Sequence, residues 1–159
     1  MPGENSLLPQ YYQDDFQVTV LSYPAAAIHD PTAVLYADRD LIVDEIVVGV
    51  HTAPAAAATF NFEVSPDCTA ASATSMCTIN VNSTNVAAGD TLVATTDSVL
   101  RYNSSGALET TATGSTAING VTAGVQSNQI PKGSWLIVDP DTASGARAII
   151  QIRFRSRPK

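Results

Sequence analysis

The stretch AIIQIRFRSRPK, residues 148–159, constrains the fold more than any other part of the chain. Ala148, Ile150, Ile152 and Phe154 alternate with Ile149, Gln151, Arg153, Arg155 and Arg157. A period of two sends successive side chains to opposite faces, so this is a strand with one apolar and one cationic face. Related patterns recur in FQVTVLSY (16–23), AVLYA (33–37), TFNFEV (59–64), CTINV (77–81), TLVAT (91–95), VLRYN (99–103) and SWLIVD (134–139). LIVDEIVVGV (41–50) is apolar on both sides of Asp44–Glu45, which predicts a buried strand with a bulge or bend at the acidic pair. Pro54, Pro66, Gly89–Asp90, and Pro131 with Gly133 separate the runs. The alanine runs at 25–27 and 55–58 are short and follow prolines, so no helix of three turns is expected. Short strands at this spacing predict an all-β, antiparallel sandwich or barrel.

A length of 159 residues suits one domain with a real core. Residues 1–15 lack sustained periodicity and hold Pro2, Gly3 and Pro9. They read as an extended N-terminal arm, anchored by Leu7, Leu8, Tyr11 and Tyr12, ahead of a β-domain at 16–159. Those four residues either cap the domain or dock on a neighbouring subunit. Residues 103–128 are rich in Gly, Ser and Thr and carry one charge, Glu109. They read as a surface insertion with a weak hairpin turning near Gly114.

Charge narrows the function classes. Charged residues make up 14% of the chain, against about 25% in ordinary domains. A formal charge of -7 argues against nucleic acid as the main ligand, because binding phosphates needs a broad basic face. Five of the eight basic residues are Arg147, Arg153, Arg155, Arg157 and Lys159. Eight acidic residues lie at or before Glu45 (Glu4, Asp14, Asp15, Asp30, Asp38, Asp40, Asp44 and Glu45), with Arg39 as the only basic one there. Such separated charge suits docking on another protein, or contact between copies of the chain. The other reading of the arginines is a solvated edge strand whose charges deter edge-to-edge pairing. MPGENSLLPQ has no basic and apolar signal segment, and no apolar run approaches a membrane span of about 18 residues. Synthesis in a cytoplasm, with no membrane partner, is the expectation.

Chemistry-bearing residues are few. His29 precedes Asp30, but no nucleophile elbow accompanies it, and His51 stands alone. Cys68 and Cys77 flank a loop between two strands, so a disulfide is a candidate, with free thiols the alternative in a reducing compartment. Asp139-Pro140-Asp141 lacks the distal bidentate Glu of a calcium loop. Trp135, the one tryptophan, is either a core or rim residue or a stacking platform for a sugar. No enzyme, metal site or cofactor is predicted.

Three segments carry a resemblance: IVDEIVVGVHTAPAAAATFNFEV with its T-A-P turn, CTINVNSTNVAAGDTLVA with its A-G-D turn, and NQIPKGSWLIVDP ahead of the final strand. Over residues 41–159 the chain resembles the cement or decoration proteins of tailed-bacteriophage virions, of jelly-roll β-sandwich type. The resemblance implies a structural protein on the exterior of the capsid. It would bind the major capsid protein, commonly as a trimer, and stabilise the head. Arg153, Arg155 and Arg157 would then meet acidic groups on the shell or on an adjacent subunit. The alternative function is a receptor- or carbohydrate-binding sandwich, as in a phage fibre or a carbohydrate-binding module.

Overall fold

The computed structural model describes residues 17–23, 31–52, 58–81, 86–111, 114–118, 128–140 and 147–156. These form eleven strands: β1 (Gln17–Tyr23), β2 (Thr32–Tyr36), β3 (Leu41–Thr52), β4 (Ala58–Ser65), β5 (Thr74–Val81), β6 (Thr91–Ala94), β7 (Val99–Tyr102), β8 (Leu108–Thr111), β9 (Gln129–Ile130), β10 (Trp135–Pro140) and β11 (Arg147–Ser156). The one helical piece among the described residues is a 3-10 turn at Ala70–Ser72. The larger sheet runs β1-β11-β3-β6-β7-β8, with β9 also pairing β3, and the smaller runs β2-β10-β4-β5. All pairs are antiparallel. The two sheets pack together as a β-sandwich around one core, as the strand series predicts.

Alternation builds that core. Ala148, Ile150, Ile152 and Phe154 of β11 are buried, as are Phe60 and Phe62 of β4, Leu92 and Ala94 of β6, and Leu136 and Val138 of β10. Each fully buried large apolar side chain contributes roughly 1.5–3 kcal/mol relative to exposure.

The expected bulge is present, and its reason is visible. Glu45 pairs with Arg153, and the next pair is Val43 with Phe154, so Asp44 is the extra residue. Val43 and Ile46 are both fully buried, and the two acidic residues between them are not. Unbroken alternation would turn one carboxylate into the core. That is far costlier than one skipped ladder position.

The A-G-D turn is a clamp. Gly89 has φ +90, and a Cβ there would sit 2.9 Å from Ser104 Cβ, so glycine is required. Gly89 N–H donates to Val50 O at 2.8 Å, and Val50 N–H donates to Asp90 O at 2.9 Å, tying the turn to β3. The buried Asp90 carboxylate accepts from Ala87 N–H at 2.8 Å and lies 3.0 Å from Arg101 Nε. The Arg101 contact is one of charge, since Nε has no aligned hydrogen-bond partner.

Among the described residues of 103–128, residues 104–109 are exposed, as a surface insertion predicts, while the piece that ends in Ile118 departs from that expectation. The tight turn comes early, at Asn103–Ala107. There the Asn103 carboxamide oxygen accepts from Ser105 N–H and Ala107 N–H, both at 3.0 Å, and β8 then pairs with β7. Gly114 also turns the chain, at φ +78. The segment 115–118 then crosses between the sheets. Ser115 Oγ accepts from Asn80 N–H, Thr116 N–H donates to Thr78 O, and Ile118 N–H donates to Thr95 O. Ile118 is fully buried. Part of the polar stretch is therefore core lining.

Candidate functional site

The cationic face of β11 exists, but it is neither an edge nor uncompensated. β11 lies between β1 and β3. Arg153 Nη1 is 2.8 Å from Glu45 Oε2, and Arg155 Nε is 3.0 Å from Asp44 Oδ2. The bulge that keeps both carboxylates out of the core also delivers them to the two arginines. The expectation of an edge strand is thus corrected by topology, and the acidic groups that Arg153 and Arg155 meet belong to the same molecule. All four side chains remain partly exposed, so the pairs are worth about 0–1 kcal/mol each. What they offer outward is two parallel rows of opposite sign. Arg157 lies outside the described residues, as do Leu7, Leu8, Tyr11 and Tyr12.

Apolar groups continue this outer face. Ile149 on β11 is 46% exposed. Val47 on β3 pairs with Val93 on β6, which pairs with Leu100 on β7, and all three are half-buried. A band of aliphatic side chains thus runs across three central strands beside the charge rows. The alternation marks these positions as outward, but only the strand order makes them neighbours.

The outer face of the smaller sheet holds an aromatic corner. Trp135 opens β10, opposite Tyr36 on β2 and Ser65 on β4. It is half-buried, a rim position, and its ring centroid is 4.9 Å from that of Tyr36 at a 53° tilt. Tyr36 is 52% exposed and sits on an edge strand. Glu63 and Ile137 form the next pair on this face, with Asn61 and Asp139 beyond. Burial, and then the charge of Asp139, raise the Glu63 carboxyl above the ordinary carboxylate range. Ile137 is 1% exposed yet stands outside the core cluster. The sequence gives no hint of Tyr36 or Glu63 as neighbours of Trp135, since they meet only through β-sheet register.

The remaining candidates stay apart. His51 Nδ1 contacts its neighbour Thr52 Oγ1 at 3.1 Å on an exposed strand end, and His29 lies outside the described residues. Arg39 Nε donates to Asp38 Oδ1 at 3.0 Å, and this hydrogen bond, with the guanidinium charge behind it, lowers the Asp38 carboxyl. Asp40 Oδ1 accepts from Lys132 N–H. Among the described residues no group of three or more His, Cys, Asp or Glu could hold a metal ion. No helix among them is long and apolar enough to cross a membrane.

Cys68 and Cys77 are both free, so the candidate disulfide is not formed. Cys77 faces the core, its Sγ donating to Thr116 O at 3.1 Å, and burial pushes its thiol up to about 12. Cys68 sits exposed at φ 57, in a turn organised by the Asp67 carboxylate. That carboxylate accepts from Ser65 Oγ at 2.7 Å and Thr69 Oγ1 at 2.8 Å, and these hydrogen bonds hold it below the usual range. Thiolate is the reactive form, so a disulfide-forming thiol reagent should titrate Cys68 at once and Cys77 only after unfolding. Two fast thiols in the native protein would contradict this placement.

No protein-family model, curated protein or solved structure matches this chain.

Proposed function

We propose that the protein is an adhesive structural component of a virion: a cement protein of jelly-roll type on the outer surface of a tailed-phage head. It binds the major capsid protein, as a trimer, and stabilises the head. The observation that supports this reading best is the outer face of the larger sheet. Ile149, Val47, Val93 and Leu100 lie there beside the Arg153–Glu45 and Arg155–Asp44 rows. Aliphatic groups gain from removal from water, at roughly 25 cal/mol per Å². Rows of alternating sign fix register and reject mismatched partners. A contact of conventional size buries about 800 Å² per partner, and a trimer multiplies modest contacts into firm retention.

The test is attachment to heads that lack the protein. The purified chain is expected to be trimeric by analytical ultracentrifugation and to saturate such heads at a fixed copy number. Ile149→Glu should leave the fold intact, because the side chain is already half in water, and weaken attachment by at least about tenfold. A monomer that ignores heads, or an Ile149→Glu variant that attaches unchanged, overturns the reading.

A further inference from the structure

We propose that the corner formed by Tyr36, Trp135 and Glu63 is a second contact site, which accepts a guanidinium group presented by a protein partner. This rests on the reading of the chain as a protein that adheres to other proteins. It assigns a different surface, on the opposite sheet, and a specific chemistry.

Geometry comes first. Trp135 is held in register between Tyr36 and Ser65, and Ser65 is fully buried with its hydroxyl donating to Asp67 Oδ1. Tyr36, on the other flank of the indole, is exposed and lies on the edge strand β2. The two rings are tilted rather than stacked flat and form a corner in which Tyr36 is exposed and Trp135 half-buried. Glu63 lies two residues before Ser65 on the same face, a diagonal neighbour of Trp135. Diagonal neighbours are about 7–8 Å apart, which one guanidinium can span from ring to carboxylate.

Charge selects the ligand class. No salt bridge among the described residues involves Glu63. Arg39, the cation of the adjoining β2–β3 turn, is paired with Asp38. Among the described residues, an ionised group acting on Glu63 is Asp139, of like sign. A partly desolvated carboxylate beside another carboxylate is relieved by an incoming cation. A neutral sugar would stack on the rings but leave that repulsion in place. Aromatic faces attract cations as well, and a guanidinium both stacks and donates in a fork to a carboxylate.

The single tryptophan makes the test direct, since all indole emission comes from Trp135. The full chain is titrated in low salt with N-acetyl-arginine amide, its neutral isostere N-acetyl-citrulline amide, and maltohexaose. A saturable change in emission with the arginine probe alone is expected. Glu63→Gln should weaken it about fivefold, the weight of one partly exposed ion pair. Tyr36→Ala, at an exposed position, should weaken it comparably. Glu63→Gln should also melt no lower than the parent at pH 7, so lost binding will not be lost folding. Equal responses to arginine and citrulline, saturation by the sugar instead, or an unaffected Glu63→Gln titration would each overturn the assignment. Because no phage head is present, its failure is separate from that of head attachment, which is read at Ile149 on the other sheet.

Discussion

Ile118→Ala is expected to destabilise the protein by about 2–5 kcal/mol, the range for emptying a buried aliphatic site. Urea unfolding reads this as a lower midpoint at unchanged slope. The value matters because of where Ile118 sits. A residue in an exposed Gly/Ser/Thr-rich excursion would change stability by no more than about 0.5 kcal/mol when truncated. Ile118 is instead fully buried, and its N–H donates to Thr95 O at the end of β6, while Thr116 two residues earlier is bonded to β5. Truncation removes packing where the chain passes from one sheet to the other. Ile118→Val should cost only about 0.5–1.5 kcal/mol, separating a cavity from a general disturbance of the segment. A silent Ile118→Ala would place the segment outside the core.

The second large effect lies at Asp90. Asp90→Ala removes the acceptor of Ala87 N–H and strands the Arg101 guanidinium at a largely buried position. Breaking a fully buried pair costs about 3–5 kcal/mol, and Arg101, with a side chain 20% exposed, keeps some water, so about 2–4 kcal/mol is expected. Asp90→Asn retains an oxygen for the turn and should cost less. Adding Arg101→Leu to Asp90→Ala should recover part of the loss, because no unpaired charge then remains. Denaturant titration of the three variants checks the order. An Asp90→Asn variant as damaged as Asp90→Ala would assign the whole effect to charge.

The two sites show how far sequence reasoning reaches. Alternation identifies β3, β4 and β11, and two buried aliphatics straddling Asp44–Glu45 announce the bulge. The side each residue takes is local information, set by period two. Neighbours across strands are another matter. The arginines of β11 are legible as a cationic face, but their partners on β3 depend on β11 lying inside the sheet. Tyr36 and Trp135 meet only because β2 and β10 pair at their ends. Ile118 carries no periodic signal, and its burial follows from bonds to Thr78 and Thr95 made by the chain around it. Cys68 and Cys77 were readable as close in sequence, but not as one thiol in water and one in the core. Their separation follows from the Asp67 turn, which holds Cys68 outward.

The position of β11 also governs how the molecule is made. Ten strands precede it among the described residues, yet it inserts between β1 and β3, and its Arg153 contacts Glu45 across 108 residues. Until this stretch leaves the ribosome, a growing polypeptide therefore exposes the β3 border of the larger sheet, and β1, whose partner among the described residues is β11, has no sheet to join. Pairing across so long a separation is slow. For that interval the nascent chain is most open to aggregation and most dependent on chaperones.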